Sequence, residues 1–263
     1  MSQQLIILLH SSKTMRIAKG TRPLRQPTLI HKTKDLAAYL KTLSSKEIEK
    51  AMHVSPKLAS TTHELIQGWT DEPARQSPAI DSFIGDIYSG LNAGELSQRD
   101  RDYADDVLWI LSGLYGFLRP YDGIYPYRLE MGYKFPNSKF KNLYAFWGDS
   151  IATQLPSDST IVNVSAKEYT DVITPFVDEN RIVTPQFLTV QSSEPTFVVV
   201  HAKIARGAFA RWLITSRVTD PKRFKEFKEL GYHYDENLST SDRPVFICET
   251  FGGIGLSIRL ADR

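Results

Sequence analysis

The sequence predicts an α/β protein, in which a mixed sheet is flanked by helices within a single compact domain spanning residues 1–263. A continuous apolar run over residues 5–9 is typical of a strand buried at the centre of a sheet. Helical spacing of apolar residues dominates the first half of the chain, whereas β-rich runs are concentrated in the second half. With 263 residues and 41% hydrophobic content, the chain can bury one substantial core.

Helices are predicted after the opening strand. The first covers residues 35–43, where apolar residues recur at helical spacing. Ser44 with Glu47 forms a capping-box signature for the second helix. The third covers residues 56–68 and ends at a glycine.

A further helix is predicted to start at Ser97 and Asp100, to run through the acidic stretch 100–106 and to lead into the apolar residues 107–111. Beyond it, strands become more frequent, because β-branched and aromatic residues cluster in short runs. The predicted strands cover residues 160–164, 181–184, 197–201, 231–234, 245–248 and 256–260, and the predicted helices cover residues 203–217 and 221–230.

Composition excludes several classes of protein. The formal net charge is +2, so any polyanion site must come from local clustering of charge. Cys248 is the single cysteine, so no disulfide framework and no disulfide-linked partner are expected, which fits a reducing cytoplasm. No apolar stretch approaches the roughly 18 residues of a membrane span. The histidines lack the spacing of metal ligands and no dinucleotide fingerprint is present, so we expect neither a metal nor a cofactor.

Two polar segments in the first hundred residues are candidates for chemistry. The segment from His10 to Thr14 follows the first predicted strand, where its hydroxyl groups and Lys13 can hold an anion. A polar turn with a solvated lysine is the structural alternative. In residues 83–91, glycines flank Asp86, which is a candidate general base or simply a turn cap.

The densest segment covers residues 111–131. Gly113 and Gly116 predict a tight hairpin, whose amides can hold a phosphate as in a helix-hairpin-helix DNA-binding element. Arg119 and Arg128 would add forked donors suited to phosphate or carboxylate. Nearby tyrosines can stack on bases. The alternative is a structural turn with its tyrosines in the core and Arg128 in a surface ion pair.

A basic helix is the best local candidate for a polyanion surface. Lys203 and Arg206 share a face at a spacing of three, and Arg206 and Arg217 recur at helical spacing, with Arg211 between them. A solvated helix face is equally consistent with this pattern. Residues 163–169, after another predicted strand, can contribute ligand groups or cap a helix.

Several of these segments, in this order, resemble signatures of the YaaA family of peroxide-stress proteins, and the resemblance covers almost the whole chain. The segments are residues 85–91 (GDIYSGL), 111–120 (LSGLYGFLRP), 126–132 (PYRLEMG), 146–148 (FWG) and 202–207 (AKIARG). The family's first motif usually reads Ser-Pro-Ala-Lys-Thr or Ser-Cys-Ala-Lys-Thr. This chain has His10 in place of the serine and Ser12 in place of the alanine.

The resemblance implies a cytoplasmic protein that protects cells from hydrogen peroxide by limiting free iron and DNA damage. It also implies a family-specific fold with a helix-hairpin-helix-like element and affinity for duplex or distorted DNA. The spacing Gly-x-x-Gly in this chain differs from the usual hairpin loop, Gly-x-Gly. The DNA or phosphate contacts expected on this basis are Lys13, Gly113, Gly116, Arg119, Arg128, Lys203, Arg206, Arg211 and Arg217.

A second hypothesis is an enzyme that acts on a nucleotide or a damaged base. Its polar residues come from separate motifs, several of them beside strand ends, so they can converge in one pocket. Asp86 or Glu130 would be the general acid or base, with Lys13, Arg128 and Lys203 holding phosphate. This hypothesis fails if these side chains are scattered over the surface.

Overall fold

Two sheets hold most of the strands in the part of the chain that the structure describes. The computed structural model describes residues 5–18, 24–136 and 138–253. The strands are β1 Leu5–His10, β2 Thr14–Met15, β3 Ser77–Pro78, β4 Phe83–Ile84, β5 Leu108–Ser112, β6 Gly116–Leu118, β7 Gly123–Ile124, β8 Thr160–Asn163, β9 Ile182–Val183, β10 Gln186–Gln191, β11 Glu194–Thr196, β12 Tyr232–Tyr234 and β13 Val245–Cys248. The helices are α1 Ile30–Lys41, α2 Ser45–Met52, α3 Pro56–Gln67, α4 Ala79–Ser82, α5 Asp86–Leu91, α6 Gln98–Val107, α7 Leu143–Trp147, α8 Lys167–Thr170 and α9 Val199–Thr215.

The first sheet has five strands in the order β6-β5-β1-β8-β9. The central strand β1 pairs in parallel with β5 and β8, β9 is parallel to β8, and β6 is antiparallel to β5. Leu5 through Leu9 are each exposed by 2% or less, as expected of a strand covered on both faces. The prediction of a buried central strand at residues 5–9 is therefore confirmed. Because β1, β5 and β8 are parallel, the residues that follow them meet at one edge of the sheet.

The second sheet is also mixed and has the order β11-β10-β13-β12. Aromatic rings fill the space between this sheet and α9. Phe187 on β10 stacks on Phe246 of β13 at 5.3 Å between ring centroids, and Phe209 of α9 packs against Phe246 at 5.5 Å. The chain is thus an α/β protein with mixed sheets, as predicted, and α9 contacts the second sheet.

Local sequence signals correctly placed the helices before residue 70. At the start of α2, Ser44 Oγ accepts a hydrogen bond from the Glu47 N–H, and the Glu47 carboxylate accepts one from the Ser44 N–H at 2.8 Å. The predicted capping box is therefore confirmed. The predicted end of the third helix is also confirmed, because α3 is followed by Gly68 as its C-cap.

The helix predicted from Ser97 is confirmed as α6, which ends at Val107. The apolar run into which it leads forms β5 from Leu108, because this fully buried run lies between β1 and β6. A run of this kind has no periodicity that separates a strand from a helix. The strand predicted over 197–201 is wrong, because α9 begins at Val199. In place of the single helix predicted over residues 221–230, the structure has two short 3₁₀ helices, Pro221–Glu226 and Glu229–Gly231. The strand predicted over 256–260 lies outside the described residues.

The glycine-rich turn predicted as part of a helix-hairpin-helix element joins two strands, β5 and β6. A Cβ at Gly113 would lie 2.6 Å from the carbonyl oxygen of Leu129, and the Gly113 carbonyl accepts a hydrogen bond from Trp147 Nε1 at 3.1 Å. Gly116 has a φ of 72° and lies against the Trp147 ring. The two glycines therefore serve a buried β-hairpin, and their amides do not face solvent as a phosphate loop would require.

Helices α5 and α9 cross in direct backbone contact at two glycines. A Cβ at Gly90 would overlap the carbonyl oxygen of Ile204, and a Cβ at Gly207 would overlap the carbonyl oxygen of Ile87. No larger residue fits at either position unless the helices move apart. This crossing explains Gly90 in the segment GDIYSGL and Gly207 in the segment AKIARG.

Replacement of Gly207 by alanine should lower the free energy of unfolding by about 3 kcal/mol, because the added methyl group overpacks a backbone contact. Gly90→Ala should have a similar effect. Urea denaturation followed by circular dichroism measures the change. Gly94→Ala is the matched control, because Gly94 is exposed and nothing lies within 4 Å of an added Cβ. Equal stability of the Gly94 and Gly207 variants would contradict the role of the crossing.

Candidate functional site

The residues that follow β1 are held by the segment that contains the motif at residues 83–91. The short strand β2 pairs antiparallel with β4, and Ser12 Oγ donates a hydrogen bond to the carbonyl oxygen of Ile84. The Tyr88 hydroxyl donates to the carbonyl oxygen of His10 at 2.8 Å. Asp86 begins α5 beside this contact, and its carboxylate forms no hydrogen bond with the described residues. The first two predicted motifs therefore meet at the carboxyl end of β1.

His10 is fixed in one orientation and one tautomer. Its Nδ1 accepts a hydrogen bond from the Ala166 N–H at 3.1 Å, and its ring stacks on Tyr169 at 4.9 Å between centroids. Burial, together with the positive charges of Arg206 and Lys203, lowers the pKa of His10 to about 3. The ring is therefore neutral at physiological pH, and because Nδ1 accepts, it carries its proton on Nε2.

Lys203 and Arg206 face this histidine from adjacent turns of α9. Arg206 forms no hydrogen bond or ion pair with any described residue, and its guanidinium lies 5.9 Å from the centroid of the Phe197 ring. Burial lowers the pKa of Arg206, which reflects the cost of desolvating a cation that has no anionic partner among the described residues. A partly buried, unpaired guanidinium is well suited to receive a phosphate or carboxylate.

A second group of charges lies near Tyr169. Lys13 forms an ion pair with Glu130 at 2.9 Å, and Glu130 also accepts a hydrogen bond from the Tyr133 hydroxyl at 2.7 Å. Arg128 reaches the carbonyl oxygen of Lys13 at 3.4 Å. The charge of Glu130 contributes to the raised pKa of Tyr169, so the two groups lie close enough to interact. Glu130 thus pairs with Lys13. It does not form the ion pair with Arg128 that their proximity in the sequence suggested.

Buried hydroxyl groups connect the strand ends beneath these charges. Ser11 Oγ lies 3.5 Å from the Tyr169 hydroxyl, and Ser112 Oγ lies 2.6 Å from the Tyr127 hydroxyl. Burial raises the pKa of Tyr127 to about 12 and raises the pKa of Tyr169 as well. Both phenols are therefore neutral at physiological pH and act as hydrogen-bond donors or acceptors without adding charge.

The other arginines of the predicted DNA surface are held elsewhere by structural partners. Arg211 donates to the carbonyl oxygen of Asn92 at 3.0 Å and lies 3.6 Å from Glu95. Arg217 follows the end of α9 and pairs with Asp100 at 2.8 Å.

Arg119 also has structural partners: it donates to the carbonyl oxygen of Asp105 and lies over the Trp109 ring. With Gly113 and Gly116 in the buried hairpin, the structure does not bring these residues together with Lys203 and Arg206.

The site therefore combines predicted residues with others that sequence reasoning missed. His10, Lys13, Arg128, Glu130, Lys203 and Arg206 converge at the carboxyl edge of the first sheet. Tyr169 and Phe197 had no assigned role. The only available signal for Tyr169 was its place in the polar segment after a predicted strand.

Neither a metal site nor a membrane-spanning element is found within residues 5–18, 24–136 and 138–253. No group of three or more histidine, cysteine or acidic residues is arranged to hold a metal ion in these ranges. No helix in the same ranges is long and apolar enough to cross a bilayer.

The fold and the site define an α/β protein with a cation-bearing polar cluster at the carboxyl edge of its central sheet. The chain belongs to the family described as Peroxide stress protein YaaA, whose sequence profile matches residues 5–238. It is 54% identical over 261 residues to a UPF0246 protein of Salinispora tropica, which covers 98% of this chain and 99% of that protein. It is 38% identical over 231 residues to a UPF0246 protein of Cupriavidus metallidurans, covering 84% and 88% of the two chains. The family resemblance predicted from the motifs is thus confirmed, and the family's description supports a role in peroxide stress.

The free energy of unfolding should decrease as the pH falls from about 7 to 4.5. In this range the unfolded chain protonates His10 near its ordinary pKa of 6.5, whereas the folded protein does not, because the folded pKa is about 3. The unfolded state then binds more protons, so acid favours unfolding. The substitution His10→Asn should remove on the order of 2 kcal/mol of this pH dependence, measured by urea denaturation at both pH values. A His10 NMR resonance that titrates near pH 6.5 in the folded protein would contradict this assignment.

Proposed function

We propose that this protein acts in the cytoplasm to protect DNA during peroxide stress, by binding duplex or distorted DNA and limiting iron-driven oxidative damage. The observation that carries the DNA-binding part is Arg206, which has no ion-pair partner among the described residues and lies with Lys203 beside a neutral His10 at the edge of the sheet. The peroxide role is supported by the description of the family. The link to iron and the cytoplasmic location rest on the family resemblance alone.

The chemistry of this cluster favours an anionic ligand. Lys203 and Arg206 supply charge and hydrogen-bond donors, and the neutral His10 adds a donor without repelling either cation. Neither cation is neutralised by a carboxylate of the described residues, in contrast to Lys13, which pairs with Glu130. Binding to the phosphate backbone of DNA would compensate the desolvation of Arg206.

An exposed aromatic side chain beside the cations favours distorted DNA over regular duplex. Phe197 is 49% exposed and lies next to the Arg206 guanidinium. An aromatic ring next to a phosphate-binding cation can stack on an unpaired base, which regular duplex does not offer. In this proposal the DNA contacts come from the sheet edge and the start of α9, and the glycine hairpin has a structural role.

Fluorescence anisotropy with labelled bubble DNA should show affinity that decreases steeply with salt, because phosphate contacts release counterions. Replacing both Lys203 and Arg206 by alanine should weaken binding by about tenfold or more at low salt. It should also reduce the slope of log Kd against log salt by roughly 2, one for each lost phosphate contact.

Lys225→Ala removes an exposed positive charge outside the cluster and is the matched control, with affinity expected to stay within about twofold of the unmodified protein. If the double variant binds bubble DNA as well as the control does, the cluster is not the DNA site. Affinity that does not respond to salt would also contradict the proposal.

The convergence of Lys13, Arg128 and Glu130 favours a second candidate function, chemistry on a bound nucleotide or damaged base. The Glu130 carboxylate lies 2.9 Å from Lys13 Nζ and 2.7 Å from the Tyr133 hydroxyl. A carboxylate is therefore in hydrogen-bond contact with two proton donors. Such a group can move a proton during hydrolysis or base release. In this hypothesis Asp86 lines the same edge, and Lys203 holds the phosphate.

Incubation with deoxynucleoside monophosphates and with oligonucleotides that carry an oxidised base tests this second function. If the protein is an enzyme of this kind, mass spectrometry should detect a product that accumulates over many turnovers. Glu130→Gln should reduce its rate by about a hundredfold or more, the usual effect of losing a general acid or base. Absence of product with every substrate would exclude catalysis of this class.

A further inference from the structure

We infer that His10, Lys203 and Arg206 form a subsite for a terminal phosphate group, a phosphomonoester such as the end of a broken DNA strand, and not for the internal phosphodiesters of an intact strand. This inference rests on the proposed binding of DNA and names the chemical group that the site selects. It assigns a specificity role to His10, which replaces the serine found at the corresponding place in the first motif.

Charge matching is the first argument for a phosphomonoester. Lys203 and Arg206 carry two positive charges that no carboxylate of the described residues neutralises. Lys13, Arg211 and Arg217, by contrast, each have a carboxylate partner. A phosphomonoester carries about −1.5 to −2 charges at pH 7, whereas an internal phosphodiester carries one. The two unpaired cations therefore match the terminal group more closely.

The donor pattern is the second argument. The Ala166 N–H occupies His10 Nδ1 at 3.1 Å, so Nε2 keeps the proton and is left as a donor. Nε2 has no hydrogen-bond partner among the described residues. The ring cannot turn over without losing the Ala166 hydrogen bond, and the stack on Tyr169 restrains it further. The donor is thus preorganised before any ligand arrives.

All three side chains offer donors, and none offers an acceptor while His10 remains neutral with Nε2 protonated. A site that contains only hydrogen-bond donors favours a ligand whose oxygens act as hydrogen-bond acceptors, such as an oxyanion. A terminal phosphate presents three such oxygens to groups from two different elements, β1 and α9. An internal phosphodiester presents two, with the chain continuing on both sides. The end of a strand can therefore use all three donors at once.

Competition binding with nicked duplexes tests the inference. Three labelled duplexes of one sequence are compared: intact, nicked with a hydroxyl at the 5′ end, and nicked with a phosphate at the same end. The phosphorylated nick should bind about tenfold more tightly than the hydroxyl nick, the gain expected of charge-assisted hydrogen bonds. His10→Phe keeps a ring for the Tyr169 stack but lacks the donor, and it should reduce this ratio to about twofold or less.

Lys203→Gln is the second variant, because Lys203 is exposed and its replacement does not disturb the core if His10→Phe fails to fold. It should also reduce the ratio between the phosphorylated and hydroxyl nicks. Lys225→Ala should leave that ratio unchanged. If the unmodified protein binds all three duplexes equally, the inference is overturned, whereas the proposed binding of DNA stands.

Failure of the proposed DNA binding can be distinguished from failure of the phosphomonoester subsite by a second experiment. If no duplex binds, DNA is not the ligand, and the protein is titrated with deoxyadenosine monophosphate and with deoxyadenosine while the His10 ring signals are followed by NMR. A saturable shift with the monophosphate alone would retain the phosphomonoester subsite for a free nucleotide. Equal or absent shifts with both compounds would overturn it.

Discussion

The backbone contact between Gly90 and Gly207 sets the distance between α5 and α9, and the geometry of the candidate site depends on it. On one side of the contact, Tyr88 of α5 binds the carbonyl oxygen of His10 at the end of β1. On the other side, α9 carries Lys203 and Arg206 within one turn of Gly207. Side chains at the crossing would separate the helices and move the two cations away from the end of the strand. Two residues without side chains thus determine where the positive charge of the site lies.

Electrostatic strain accompanies this arrangement. Arg206 is desolvated without an anionic partner among the described residues, and His10 is kept neutral by burial and by the two cations beside it. Each of these features costs folding free energy, because a buried charge and a suppressed protonation both disfavour the folded state. Other cations of the protein pair with carboxylates, as Lys13 does with Glu130 and Arg217 with Asp100. A desolvated cation without a partner among the described residues is typical of a site that receives a ligand of opposite sign.

Much of the fold was predictable because its signals are local. The continuous apolar run at residues 5–9 indicates a buried strand without reference to any other part of the chain. Ser44 and Glu47 form the N-terminal cap of α2 with each other alone. The partners of Arg211 and Arg217 were not predictable, because Glu95 and Asp100 lie more than a hundred positions away in the sequence. The same holds for Lys13 and Glu130, whose ion pair exists only because β1 and the 126–132 segment meet. The start of α9 was missed because Val199 and Val200 favour strands locally, while burial of Ala202, Ile204 and Ala205 favours a helix.

The position of β1 has a consequence for how the protein is made. Leu5 leaves the ribosome long before Thr160, with which it pairs, and Ile7 leaves long before its partner Leu108. At ordinary rates of translation, this apolar strand waits on the order of ten seconds before both neighbours are available. During that interval an unpaired hydrophobic segment is open to aggregation or to capture by a chaperone. The edge of the sheet that carries the candidate site can therefore form only after β8 has been synthesised.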